Sequence, residues 1–231
     1  MIITIHQPDF LPWLGFFDRW LKSSIYIVLD DVQFIRRGWQ HRDKIKTSNG
    51  VQWLTVPIIK KGRYYQKIKD VEINNKENWR KRHLDMIQHA YQKAPNFNSV
   101  YISIKEILNK NHKLLIDLNI DLLKFCAKTL HIETPLIFSS SLELESQGTE
   151  RLIQIVTALR GNTYLTGPGS KDYLDEEAFC SAGIDVLWHN YKPPVYPQLY
   201  NDFEEKLSII DFLMMVSEPK EIFWKKSKDY S

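Results

Sequence analysis

Two apolar, β-branched runs, IITIH (2–6) and IYIVLD (25–30), stand about 18 residues apart, and the stretch between them has helix-forming composition. That gap suits a crossover helix and not a hairpin, so the pattern predicts a parallel strand-helix-strand unit with its helix over Trp13–Lys22. The working loop of such a unit lies at the carboxyl end of the first strand, where His6 and Gln7 fall. Asp30 and Asp31 end the second strand and are expected on the same edge. Pro8 and Pro12 fix two φ angles and bias Gln7 and Leu11 toward extended backbone, which stiffens the loop between.

The rest of the chain extends this frame. An irregular basic stretch, RRGWQHRDKIK (36–46), precedes strand candidates QWLTVPI (52–58) and KIKDVEI (67–73). Apolar residues then recur at three- and four-residue steps from Asn75 to about Leu130, which predicts a helical lobe. Strands return at 135–140, 163–166 and 184–189, with helices over 149–159, 173–179, 208–216 and 219–225. The fold class is therefore α/β, a parallel or mixed sheet formed by N- and C-terminal βα segments with a helical subdomain inserted in the middle. The expected segments are 1–74, carrying the site, 75–131, helical, and 132–231, completing the sheet.

Four constellations carry chemistry. His6 titrates near neutrality when unperturbed and suits acid-base work, although a turn-bonded histidine reads the same way. Asp30 and Asp31, with Gln33, suit Mg²⁺ or sugar hydroxyls, but neighbouring strand residues point to opposite faces, and a cap or a solvated carboxylate is the plainer reading. Arg36, Arg37, Arg42, Lys44 and Lys46 surround Trp39 and His41, a composition for gripping phosphates while a ring stacks, or simply a solvated charged loop. TGPGSKDY (166–173) follows a strand and precedes a helix; it offers backbone N–H groups to an anion, or is a plain loop capped by Ser170 or Asp172. It has neither P-loop nor dinucleotide spacing.

Composition bounds these readings. The 231 residues carry 31 Lys and Arg against 28 Asp and Glu, largely interspersed, so charge alone does not imply nucleic acid, and none is expected as a partner. Cys126 and Cys180 lack metal-ligand spacing and are expected reduced and structural, and no metal ligands are assigned. The chain opens on a strand rather than a basic and apolar leader, and no apolar run approaches a membrane span, so a cytoplasmic protein is expected.

The ordered set IHQPDFLPWLGFFDRW, VLDDVQFIRRGWQHRDKIK, WLTVPI, TYLTGPGSKDYLD and YKPPVYPQLYNDFEEKLSIIDFLM resembles the WbqC-like protein family over most of the chain. The resemblance implies a cytoplasmic enzyme of O-antigen or other surface-polysaccharide precursor synthesis. The function that follows is an acyl- or aminoacyl-transferase forming an amide on a nucleotide-linked amino sugar. A non-catalytic ligand-binding or assembly protein of the same pathway is the alternative. The implied site has His6, Asp30 and Asp31 as catalytic residues. Gln7, Gln33, Trp39, Arg42, Trp53, Gly167, Tyr173, Tyr196 and Gln198 are substrate-binding, with Arg42 on the diphosphate and Trp39 or Trp53 stacked on a ring. The chain start is also similar to nucleotidylyltransferase-like enzymes, although Phe16 stands where their second histidine falls. The cofactor is left open between an acyl thioester donor, brought by an acyl-carrying partner, and ATP with Mg²⁺ for an adenylate-forming ligase. Oligomeric state is open as well.

Overall fold

The computed structural model describes residues 1–200 and 202–228. In chain order the elements are β1 (Ile2–His6), α1 (Leu14–Leu21), β2 (Ile25–Val28), β3 (Arg42–Thr47), β4 (Gly50–Thr55), α2 (Trp79–Tyr91), α3 (Phe97–Asn109), α4 (Leu115–Thr129), β5 (Leu136–Phe138), α5 (Gly148–Ala158), β6 (Thr163–Thr166), α6 (Glu176–Ser181), β7 (Asp185–Trp188), α7 (Ile209–Met215) and α8 (Pro219–Lys228). Five strands form one parallel sheet in the order β5-β2-β1-β6-β7, and β3 with β4 makes a separate antiparallel hairpin. The α/β class and the parallel sheet drawn from both ends of the chain are thus observed.

Alternation along the strands divides the core. Ile3, Ile5 and Ile27 face α5 and α6, where they join Ile155, Val156 and Phe179. Tyr26 and Val28 point the other way, into a larger core with Phe16, Phe17 and Trp20 of α1, the hairpin, and helices α2, α3, α4 and α7. From the central β1 the chain proceeds outward to β2 and β5 on one side, while β6 and β7 lie on the other. The order reverses between β1 and β6, and the crevice outside the carboxyl ends of those strands is where such sheets bind ligands.

Four local expectations are corrected. Half of the basic stretch is strand, because Arg42–Thr47 pairs in register with Gly50–Thr55, which ends before Pro57. Residues 67–73 form no strand: Ile68–Asp70 is a 3₁₀ turn, and its flanks bond to three different segments through Gln33, Ile58 and Leu114. Helix α6 begins at Glu176, with Asp175 accepting from the Ala178 N–H, since Ser170 instead bonds Thr166 and Tyr173. Leu11 is left-handed, φ 48°, and not extended. Its backbone is held there by Ser208 Oγ on the Leu11 carbonyl and by the Ile209 N–H on the Pro12 carbonyl, while its side chain is buried. The held conformation costs about 1–2 kcal/mol.

Candidate functional site

A cavity of about 680 Å³ opens at that reversal point. His6 ends β1 and Gln7 and Asp9 follow it, Thr166 ends β6 and Gly167 to Ser170 follow it, and Trp13 precedes α1, which supplies Gly15 and Arg19. Trp39 and Gln40 close one side and Arg151 of α5 another. The β1 loop is anchored from outside the sheet. Asn119 of α4, fully buried, donates from one Nδ2 to the carbonyls of Pro8 and Gln40 at 2.7 Å each. Gln40 Nε2 donates to Gln7 Oε1, and the Phe10 N–H to the Trp39 carbonyl. The helical insertion and the basic segment therefore clamp the loop that carries His6.

Arg19 sets the electrostatics. Helix α1 buries seven of its eight residues, Arg19 among them at 9% exposure. Its guanidinium has no hydrogen bond or ion pair to any described residue, and burial lowers its proton affinity. Nη1 lies over Gly167, where a Cβ would come within 2.7 Å of it. Here is a cation taken out of water, seated on a glycine and facing a cavity; an unpaired buried charge of this kind is costly unless an anion meets it.

Beside it, burial raises the Asp9 carboxyl to about 7, opposed by the charge of Arg19. Burial and Arg19 together lower His6 to about 3, so its imidazole is neutral. His6 Nδ1 lies 2.8 Å from the Gln7 carbonyl, which only accepts, so Nδ1 carries the proton and Nε2 keeps a free lone pair. Asp9 Oδ2 stands 3.7 Å from Nδ1, and Phe16 packs edge-on at 5.0 Å. A second buried carboxyl, Asp43 of β3, is pushed up to about 8 by burial and in part by Asp9. On the far wall His189 Nε2 donates to Asp18 Oδ2 at 2.6 Å, fixing another imidazole at the cavity edge.

Of the residues expected at the site, His6, Gln7, Trp39, Gly167 and Tyr173 line the cavity. The other seven lie outside its lining. Asp30 accepts from the Ser140 N–H and Ser140 Oγ, Asp31 pairs with Arg151, and the two carboxylates share the one hydroxyl proton of Ser139. These saturated carboxylates stitch β2 to the turn after β5 and to α5, and they do not fit a Mg²⁺ site. Gln33 reaches the Tyr64 carbonyl. Arg42 lies 4.4 Å over the Trp53 ring and donates to the Arg37 carbonyl. Trp53 in turn touches Trp39 at 5.4 Å, so it braces the cavity wall from behind. Tyr196 and Tyr91 each donate to Asp211 at 2.9 Å, and Gln198 accepts from Lys46 and donates to the Glu204 carbonyl. Both belong to a buried network binding the C-terminal segment to the hairpin. Asp9, Arg19 and His189 went unread; the signal for Arg19 was a charged pair, Asp18-Arg19, inside an otherwise aromatic helix.

Fold and cavity together define a doubly wound α/β protein whose cavity at the strand-order reversal is lined by a buried arginine. The chain belongs to the WbqC-like protein family, whose model matches residues 7–222. It is similar to the uncharacterized protein Rv1507c of Mycobacterium tuberculosis, 36% identical over 216 residues that cover 93% of each chain. No solved structure matches it. Among the described residues no helix is long and apolar enough to cross a membrane.

Proposed function

We propose that this chain transfers an acyl or aminoacyl group to the amine of a nucleotide-linked amino sugar in surface-polysaccharide precursor synthesis. The observation that carries the reading is Arg19, a cation without a hydrogen bond or ion pair among the described residues, in a cavity of nucleotide-sugar size whose wall includes Trp39, Tyr164, Tyr173 and five glycines. A diphosphate satisfies that guanidinium through charge-assisted hydrogen bonds. The loop after β6 approaches the same phosphates with backbone, which Gly167 permits, and Trp39 offers its ring to the base or the sugar.

The amine arrives as an ammonium. His6 Nε2 takes one of its protons, and the Nδ1–H, bonded to the Gln7 carbonyl in the free protein, shifts to Asp9 Oδ2, 3.7 Å away, a carboxyl that titrates near neutrality and so accepts that proton at little cost. The freed nitrogen attacks the carbonyl carbon of an acyl thioester, the C–N bond forms and the C–S bond breaks. The departing thiolate takes the second nitrogen proton, leaving an amide and a thiol. Positioning both reactants in one cavity supplies much of the acceleration.

Calorimetric titration with UDP- and dTDP-linked amino sugars tests this. Saturable binding that Arg19→Met abolishes is expected, as is an amide product when a thioester donor is added. Flat titrations across such sugars refute the substrate class, and binding without product under every thioester supplied leaves a ligand-binding role in place of catalysis.

A further inference from the structure

Residues 32–69 hold ten of the chain's 31 Lys and Arg but one of its 28 Asp and Glu, so the remaining chain is net acidic. That single acid, Asp43, is buried, and burial keeps its carboxyl protonated up to about pH 8. The same segment exposes Trp39 (48%), Trp53 (42%), Tyr64 (59%) and Tyr65 (80%). The patch is contiguous with the cavity, since Trp39 lines the cavity and touches Trp53.

We infer that this basic, aromatic face beside the cavity mouth docks an acidic protein, one that carries the acyl group as a thioester; the second clause rests on the transfer reading above. Trp, Tyr and Arg are the residue types that dominate binding energy at protein interfaces. Here they are already assembled: Arg42 lies 4.4 Å over Trp53, with Lys44 at 5.9 Å, and Arg36 lies 4.9 Å over Tyr64. Seating on rings orients the charged groups before any partner arrives, which lowers the ordering cost of pairing them with carboxylates. On Trp53 and Tyr64 the ring face that a cation covers is closed to a stacking nucleic-acid base, and entering lipid would drag each guanidinium along with its ring. A partner docked on this face places a tethered group at the mouth.

The test uses the whole chain and a holo acyl carrier protein as the acidic probe, with binding followed by calorimetry at 50 and 150 mM NaCl. Saturable binding is expected, weakened at the higher salt. The double variant Arg36→Glu/Lys61→Glu, both positions exposed and outside the cavity lining, is expected to weaken it at least tenfold while dTDP-amino-sugar titrations stay unchanged. Three results overturn the inference: no saturable binding of the carrier, equal binding by the folded double variant, or tighter binding of a dT20 oligonucleotide or of vesicles containing phosphatidylglycerol. Charge-dependent carrier binding alongside flat sugar titrations would keep the docking face and discard the sugar substrate.

Discussion

Replacing Arg19 by Met separates function from stability. The residue is 9% exposed and its guanidinium has no hydrogen bond or ion pair among the described residues, so in the ligand-free protein its desolvation is offset only in part, by the nearby Asp9 and tyrosines. Methionine matches the stem in length and removes the charge. Exchanging buried charges for well-packed apolar groups is neutral or stabilising by about 1–4 kcal/mol. For a chain of this size about 1 kcal/mol moves Tm by ~2–4 °C. Arg19→Met should therefore melt several degrees above wild type in calorimetry while losing all stabilisation by pyrophosphate or UDP. Two neighbours should report the missing charge: His6 and Asp9, both held down by Arg19, should each titrate higher in NMR. A variant that melts lower by a kcal/mol or more would show that Arg19 anchors the fold, and the anion-site argument would fail with it.

Other changes probe the same construction. Gly167→Ala has ordinary backbone, φ −91°, and forces only the Arg19 guanidinium to move; sugar-nucleotide Kd should rise about tenfold or more, with the urea midpoint unchanged. Asn119→Leu strips two buried carbonyls of their donor and should cost about 2–5 kcal/mol in urea unfolding; a cost below ~1 kcal/mol would show that the clamp is dispensable. Asp9 binds its proton more tightly folded than unfolded, so it favours the folded state most at low pH. Its contribution declines as pH rises from about 4 to about 7. Asp9→Asn should abolish that decline and gain up to about 4 kcal/mol on wild type at pH 8. It should also remove amide formation without weakening sugar binding, whereas catalysis that persists in the variant would assign the proton to another group.

What was legible in the sequence is what depends on neighbours in the chain. The β-branched runs marked the strands, the 18-residue gap marked the crossover, and strand ends placed His6 and Asp30 on one edge of a parallel pair. What was illegible depends on partners more than 100 residues away. Asp30 and Asp31 read as free carboxylates because nothing local announces that Ser139, Ser140 and Arg151 will saturate them. Tyr196 and Gln198 read as ligand contacts for the same reason, their partners being Asp211 and Lys46. Arg42 is the basic residue a phosphate reading selects, yet packing sets it on Trp53 outside the cavity lining, where the buried cation is Arg19.

The inserted helices make the site possible. A parallel sheet supplies the crevice but not the rigidity of its loops, and the loop after β1 carries a left-handed leucine that would relax if released. Asn119 on α4, Gln40 and Trp39 of the basic segment, and Ser208 at the start of α7 each bond its backbone or its side chains. Three remote segments thus converge on seven residues, His6 to Pro12. The stiffness that Pro8 and Pro12 begin is completed by tertiary bonds, and it holds His6 and Asp9 in one geometry against the Arg19 charge.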